Sequence, residues 1–227
     1  MRRMLLTVLL LAMAAVTAAC TPSTEAEEPG MNTDAEQRLL AAASTGDDDA
    51  VRDALEGGAD LESRGENGMT ALIVATKANH VDVARTLIEA GADVNAQDDI
   101  EDSAFLYAGA RGHDEILRLT LENGADLSST NRFGGTALIP ASERGLLSTV
   151  RILLNAGVDP DHINNLGWTA LHEAIVLGDG SDAYVEVIEA LLDGGADPTI
   201  ADGDGASPRE LAAARGYDRV VAVIDAH

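Results

Sequence analysis

A short glycine-containing phrase returns along the chain at a nearly constant interval. Its first glycines are separated by 33, 33, 33 and then 38 residues, and the copies are Gly58-Ala59-Asp60, Gly91-Ala92-Asp93, Gly124-Ala125-Asp126, Gly157-Val158-Asp159 and Gly195-Ala196-Asp197. Self-similarity at this period is typical of a solenoid, in which no unit buries its apolar face alone and its neighbours supply the core. The sequence therefore predicts a serial stack of similar units, with function on a repeated surface.

The residues between these phrases recur at helical spacing. In each second half an apolar residue is followed by another one turn later, as in Val83 with Leu87 and Ile88. Each first half contains a serine or threonine that can cap a helix, namely Thr70, Ser103, Thr136, Thr169 and Ser207. The glycine after each second helix is the expected stop, because a residue without Cβ readily adopts the left-handed conformation. Each unit is predicted to be a helix, a tight turn, an antiparallel helix and a loop.

Several motifs recur in phase with this period. They include Gly68-Met69-Thr70-Ala71-Leu72, Gly91-Ala92-Asp93-Val94-Asn95 and Gly167-Trp168-Thr169-Ala170-Leu171-His172. In these motifs the chain resembles the ankyrin repeat from about residue 34 to residue 227. The resemblance implies an all-α solenoid of about six helix-turn-helix units with short β-hairpin fingers, which binds other proteins through its concave surface. Asp34 to Glu62 and Asp202 to His227 are expected to cap the stack, since terminal units need polar, atypical faces.

The N-terminus has the pattern of an export signal. Arg2 and Arg3 precede an apolar run that is shorter than the roughly 20 residues needed to span a bilayer. Thr17-Ala18-Ala19-Cys20 resembles the lipobox of bacterial lipoproteins, which implies a signal peptide over 1–19 and lipidation at Cys20, the only cysteine. An ordinary signal peptide or an uncleaved anchor, with Cys20 incidental, is the alternative.

The polar residues 20–33 are expected to form a flexible tether, and residues 34–227 to form the repeat domain. A lone cysteine allows no intrachain disulfide, so this domain must be stable through packing. An extracytoplasmic, membrane-anchored location, periplasmic or at the cell surface, follows from the signal. The formal net charge of −24 disfavours nucleic acid and anionic lipid and favours a basic or metal-bearing partner.

Catalytic and metal-binding patterns are weak in this sequence. His80, His113 and His172 occupy positions where the resemblance implies a structural imidazole, and the remaining His162 and His227 have no second histidine at ligand spacing. Zinc needs three or four converging ligands. No nucleophile elbow, phosphate loop or paired cysteine and histidine occurs. The sequence predicts no enzyme, no cofactor and no metal.

Two acidic segments also require interpretation. Asp202-Gly203-Asp204-Gly205 looks like the start of a calcium loop but lacks the acidic residue at the twelfth position and lies where the ankyrin repeat has its finger, so a β-hairpin is favoured. In the segment from Asp98 to Asp102, Glu101 replaces the glycine of the other fingers. That segment could collect a cation or a basic partner segment, although a solvated acidic loop is favoured.

The positions that the repeat leaves variable are the candidates for partner binding. They are Asn67, Met69, Lys77, Asp99, Ile100, Arg111, Arg132, Phe133, Glu143, Arg144, Leu166, Trp168 and Leu177. The apolar members on the fingers are expected to project, and a row of exposed apolar anchors beside Arg and acidic residues is typical of a protein interface. The alternative is that some of them pack along neighbouring fingers.

Two departures from the repeat have no explanation in the sequence alone. Pro140 falls near the fourth residue of an inner helix, where it should remove a backbone hydrogen bond and bend the unit. Five extra residues lie within Gly178 to Tyr184, as a tolerated loop or a second contact site.

The function predicted from these patterns is that of a membrane-tethered, monomeric protein-interaction module. It is expected to bind an unidentified protein partner through its fingers and inner helices. The alternative is an accessory or inhibitor protein for an exported enzyme or toxin, which uses the strong negative charge.

Overall fold

The computed structural model describes residues 34–227, which form one row of helix pairs. The helices are α1 Asp34–Thr45, α2 Asp48–Glu56, α3 Ala71–Lys77, α4 Val81–Glu89, α5 Ala104–Arg111, α6 Asp114–Glu122, α7 Leu138–Glu143, α8 Leu147–Ala156, α9 Ala170–Val176, α10 Asp182–Asp193, α11 Pro208–Ala214 and α12 Asp218–Ala226. No helix in this range combines the length and the apolarity of a bilayer span. The predicted signal peptide 1–19, Cys20 and the tether 20–33 lie outside the described residues.

The consecutive pairs from α1–α2 to α11–α12 are the first to sixth units, and each unit from the second onward begins with the loop before its first helix. The helices of these units stack in two parallel rows. Each odd-numbered helix packs on the next odd-numbered one to form the inner row, and the even-numbered helices form the outer row. The inner core is a ladder of one large apolar side chain from each of the first five units at the 33-residue period, each no more than 1% exposed: Leu39, Leu72, Phe105, Leu138 and Leu171. The predicted all-α solenoid of six helix pairs is confirmed.

The recurring Gly-Ala-Asp phrase ends each unit through its backbone. The first glycine of each copy has a φ between 84° and 100°, and a Cβ there would meet no atom within 4 Å. Glycine is therefore required by the left-handed conformation and not by lack of space. The aspartate side chain then accepts a bond from the backbone two residues on, as Asp93 Oδ1 does from Asn95 N at 2.9 Å. The phrase therefore ends a helix and then forms a turn that the aspartate side chain stabilises through a hydrogen bond to the backbone.

The predicted β-hairpin fingers are wrong, because residues 34–227 contain no strand. The fingers are the loops that precede α3, α5, α7, α9 and α11, numbered one to five in that order. In the third finger, Asn131 N donates to Gly135 O at 3.0 Å and Gly134 N donates to Asn131 O at 2.8 Å. Asn131 Oδ1 accepts the amides of Phe133 and Gly135 at 2.9 and 3.1 Å. A side chain thus takes the donors that a strand ladder would use. In the second, fourth and fifth fingers, the side chains of Asp98, Asn164 and Asp202 each accept two backbone amides in the same way.

The second finger differs from its neighbours. Glu101 has a φ of 63°, in the left-handed region that glycine occupies in the other fingers, so the predicted replacement of a finger glycine is confirmed. Left-handed backbone costs an ordinary residue about 1 kcal/mol. Backbone bonds join the first finger to the second, from Asp99 N to Asn67 O, and the third to the fourth, from Asn165 N to Phe133 O. Within residues 34–227 no equivalent bond joins the second finger to the third.

Helix α7 starts late because of Pro140. In the other complete units the capping residue's carbonyl accepts an amide four residues on, as Thr169 O does from Glu173 N. Pro140 has no N–H, so Thr136 O accepts from Ile139 N instead. Ile139 N is then unavailable to the Thr136 side chain, whose Oγ1 is buried without a partner. The prediction that Thr136 caps its helix is therefore wrong, whereas Thr70, Ser103, Thr169 and Ser207 do cap theirs.

The five-residue insertion is packed against the stack. It lengthens the linker before α10 and gives that helix 12 residues, compared with 9 in α4. Tyr184 Oη donates to Glu143 O of the preceding unit at 2.8 Å. His113 Nδ1 makes the corresponding contact with Thr76 O at 2.9 Å, and Tyr217 Oη with Gly178 O at 3.1 Å. The insertion therefore carries a docking contact that the repeat uses elsewhere.

Candidate functional site

A concave cavity of about 370 Å³ lies between the inner helices α5, α7 and α9 and their fingers. Six of the predicted partner-binding residues line it together: Arg111, Phe133, Glu143, Arg144, Leu166 and Leu177. Phe133, Leu166 and Leu177 are more than half exposed, at 57%, 61% and 52%. The structure thus brings variable positions from three successive units to one concave surface.

The cavity exists because the fourth unit is recessed. Gly135 stands where the second, third and fifth units have Met69, Asp102 and Trp168. Pro140 stands where the third and fifth units have the longer side chains of Tyr107 and Glu173. Gly135 and Pro140 therefore line the cavity beside the larger side chains of Asp102, Tyr107 and Glu173 from the flanking units.

Glu173 is the most enclosed acidic group of the cavity wall. It is 5% exposed, and its Oε1 accepts the Asn164 side-chain amide at 2.9 Å. Its Oε2 is buried without a hydrogen-bond partner in the described residues. Burial, and then repulsion by Glu143, raise the pKa of Glu173, while the bond from Asn164 acts in the opposite direction. A carboxylate in this position is costly to the fold.

Asp102 lines the same cavity from the third unit. Burial, and then the nearby charge of Asp98, raise the pKa of Asp102, whereas Lys77, Arg132 and Arg111 lower it. Asp102 is half-buried, as is Glu143 on the fourth unit. The enclosed part of the cavity therefore has an acidic character.

Two arginines form the positive edge of the cavity, and both are exposed. Arg111 Nε donates to Tyr107 Oη at 3.3 Å, and its guanidinium lies 5.6 Å from the centre of the Tyr107 ring. Arg144 Nη1 donates to Ala110 O. Each guanidinium is held in place and retains further donors for a ligand.

The other predicted partner-binding residues lie outside the cavity. Asn67, Asp99, Ile100 and Arg132 are exposed on the fingers, and the Arg132 guanidinium lies 4.6 Å from the centre of the Phe133 ring. Met69 and Trp168 were expected to project, but both are half-buried.

Lys77 is committed to a neighbouring carboxylate. Its Nζ lies 2.6 Å from Asp98 Oδ2, and the Asp98 side chain has no exposed surface. Asp98 also accepts two backbone amides. The Asp98 carboxylate therefore stabilises the fold. Among the described residues, no group of three or more His, Cys, Asp or Glu side chains could hold a metal ion.

The histidines make structural contacts. His80 Nε2 contacts Ser44 O at 3.1 Å, and His162 Nε2 contacts Gly134 O at 2.7 Å. His172 is fully buried, and its Nδ1 accepts the backbone amide of Thr169, the residue that caps α9. Burial lowers the pKa of His172, so its neutral form is favoured.

Sequence reasoning missed Tyr107 and Glu173 as cavity residues. Both occupy the inner-helix position that carries Val74 in the second unit and Leu211 in the last. An acidic residue in an otherwise apolar series is the signal that would have identified Glu173. Ile163, which is 51% exposed, was also missed, but it does not line the cavity.

Six stacked helix pairs, with variable side chains around a cavity on the concave face, are typical of a solenoid protein that binds partners. A family model for ankyrin repeats, in three copies, matches residues 9–98 and 105–222, and the chain belongs to the ankyrin-repeat family. Ankyrin-repeat proteins are typically non-enzymatic modules that bind other proteins.

Two crystal structures of ankyrin-repeat proteins are similar to this chain. An ankyrin-repeat domain from Acinetobacter baumannii AYE is 52% identical with a TM-score of 0.81, over 83% of this chain and 96% of that one. The ankyrin-repeat protein EF0377 is 37% identical with a TM-score of 0.81, over 84% of this chain and 97% of that one. No curated protein matches the sequence.

Replacing Glu173 with glutamine should stabilise the protein at neutral pH. The folded-state pKa of Glu173 is raised, so the native state binds more protons than the unfolded state above about pH 4.3. The free energy of unfolding therefore decreases as pH rises from the unfolded-state pKa of Glu173 through its higher folded-state pKa. We expect Glu173→Gln to raise the free energy of unfolding by about 1 kcal/mol at pH 7, with the gain disappearing near pH 4. Urea unfolding from pH 4 to pH 8 measures this difference; a less stable variant at pH 7 would contradict it.

Proposed function

We propose that this protein is a non-catalytic interaction module whose partner binds across the cavity and fingers of the third to fifth units. The observation that carries this proposal is the convergence of Phe133, Leu166 and Leu177, each more than half exposed, around one cavity with Arg111 and Arg144 at its edge. Exposed apolar side chains cost solubility, and apolar and arginine anchors beside a pocket are typical of interface hot spots.

Truncating two of these anchors should remove most of the binding. We expect the double variant Phe133→Ala, Leu166→Ala to reduce partner recovery from native membranes at least about tenfold, because hot-spot truncations each cost about 1–2 kcal/mol or more. The matched control is Ile163→Ala, which truncates an exposed apolar residue that does not line the cavity. Quantitative mass spectrometry measures recovery. Equal recovery of every partner by the wild type and the double variant would contradict the proposed surface.

We also propose that the domain is held at an extracytoplasmic membrane surface by a lipid on Cys20. This rests on the sequence of the N-terminus, whose charged start, apolar run and Ala19-Cys20 junction resemble a lipoprotein signal. Replacing Cys20 with serine should prevent incorporation of labelled palmitate, and any variant chain from which the signal peptide is removed should no longer sediment with membranes. A Cys20→Ser variant that is still cleaved and still sediments with membranes would contradict the lipid anchor.

The charge of the chain supports a second candidate, an accessory or inhibitor protein for an exported enzyme or toxin. A formal net charge of −24 attracts a basic target and accelerates its association. Exposed charges are screened over about 8 Å at physiological ionic strength. An association rate that falls steeply with salt would favour this candidate, whereas a salt-independent rate would favour the general module.

A further inference from the structure

Glu173 stands out because the fold gains nothing from its charge. Its Oε1 has one partner, Asn164, and its Oε2 has none although the residue is 5% exposed. An ionised carboxylate can accept about four hydrogen bonds. The equivalent positions of other units hold apolar side chains such as Val74 and Leu211. The stack can therefore be built without an acid here, and the unused acceptor capacity lies in the wall of the cavity.

The charges of the cavity are arranged by depth. The acids are the enclosed groups, with Glu173 buried and Asp102 and Glu143 half-buried. The guanidiniums of Arg111 and Arg144 are exposed, and each already donates a bond to an oxygen of the third unit. A ligand that enters the cavity therefore meets apolar and cationic groups at the edge and carboxylates inside.

The size and shape of the cavity limit what can enter. Its volume of about 370 Å³ lies at the lower end of the roughly 300–1,000 Å³ typical of ligand pockets. Such a space suits one long side chain and its adjoining backbone better than a helix or a folded loop. Phe133, Leu166 and Leu177 offer apolar surface for the stem of that side chain.

We propose that the cavity receives a lysine or arginine side chain from an extended segment of the protein partner, and that its cation pairs with the carboxylate of Glu173. This inference rests on the proposed binding surface and names the chemistry recognised there. Glu173 Oε2 is buried in the free protein, so pairing requires rotation of the carboxylate about its last side-chain bond. That torsion is broad in glutamate, so the rotation is accessible. The new ion pair supplies the charged donor that Glu173 lacks in the free protein.

Three short peptides test the proposal directly. Each is an acetylated and amidated heptapeptide with leucines flanking a central arginine, citrulline or glutamate, so that only the charge of the central side chain changes substantially between arginine and citrulline. Binding is followed by NMR titration of amide and methyl signals in the full repeat domain with its native tether. The variants are wild type, Glu173→Gln, the double variant Phe133→Ala, Leu166→Ala, and the control Glu186→Gln, which removes one exposed acid from the outer helix α10.

We expect the arginine peptide to bind the wild type about tenfold more tightly than the citrulline peptide, with shifts at Leu166 and Leu177. The ratio of the citrulline-peptide to the arginine-peptide dissociation constant should fall to about one in Glu173→Gln and stay near its wild-type value in Glu186→Gln. An unchanged ratio in Glu173→Gln, preference for the glutamate peptide, or no binding of the arginine peptide would each overturn the proposal. If the arginine and citrulline peptides bind equally and both are lost in the double variant, the cation pairing is wrong and the proposed binding surface stands.

Discussion

Replacing Phe105 with alanine is expected to lower the free energy of unfolding by about 4 kcal/mol. Phe105 is fully buried in α5 and is the third member of the ladder that runs through the inner helices. Its removal leaves a cavity in the middle of the stack, where the neighbouring helices α3 and α7 both pack on α5. In a solenoid such a loss weakens the coupling between the flanking units as well as the unit itself. Urea unfolding followed by circular dichroism should therefore show two transitions in place of one.

The sequence provides two matched controls for this prediction. Phe105→Leu introduces the residue that the ladder carries in four other units, and it should cost only about 1 kcal/mol. Phe133→Ala makes the same truncation at a side chain that is 57% exposed, and it should change stability by less than about 0.5 kcal/mol. If Phe105→Ala and Phe133→Ala are equally mild, the ladder does not couple the units.

The helix pairs could be predicted from the sequence because their causes are local and repeated. The period of the Gly-Ala-Asp phrase reflects a left-handed glycine and an aspartate-closed turn in every unit, such as Gly91 and Asp93. The β-hairpin fingers came from the family resemblance and are wrong, since side chains such as Asn131 take the backbone donors of the loop. The failed cap at Thr136 required knowing that Pro140 redirects Ile139 N to a carbonyl.

The candidate site was predictable as a surface but not as a cavity. The variable positions of the repeat identify which side chains face outward, and six of them meet around one cavity. The cavity itself depends on Gly135 and Pro140 being small while Tyr107 and Glu173 in adjacent units are large. No single motif records that difference in size between neighbours. Trp168 was expected to project but is half-buried, and its own motif gives no sign of that.

Replacing Lys77 with methionine is expected to cost about 3 kcal/mol of stability at neutral pH. Methionine keeps the length and apolar bulk of the lysine stem beside the Tyr107 ring, from which Nζ lies 5.3 Å. What is lost is the 2.6 Å ion pair with Asp98, whose side chain has no exposed surface. The carboxylate is then left with only the amides of Ile100 and Asp102. Removing one partner of a buried pair costs far more than forming the pair gains.

Asparagine at position 98 should restore most of that loss. Asn131 and Asn164 occupy the same place in the next two fingers and accept the same pair of backbone amides. The double variant Lys77→Met, Asp98→Asn is therefore expected within about 1 kcal/mol of the wild type, and the coupling energy of the double-mutant cycle should be about 2 kcal/mol or more. A coupling energy near zero would show that Lys77 and Asp98 act independently, with Lys77 free to serve as a partner contact.

The pH dependence separates charge pairing from packing as the cause of the Lys77→Met loss. Burial alone would raise the pKa of Asp98, but the bond from Lys77 and the two backbone amides lower it below its usual value. In the wild type, the stability contributed by ionised Asp98 is fully present above the unfolded-state pKa of about 3.9. It is lost as pH falls through the lower folded-state pKa. Without Lys77, burial is less opposed and the pKa of Asp98 rises, so the variant recovers stability relative to the wild type as pH falls from 7 to 4. Urea unfolding across that range should show the stability difference between wild type and variant becoming smaller, and a constant difference would show that the loss does not arise from the charge of Asp98.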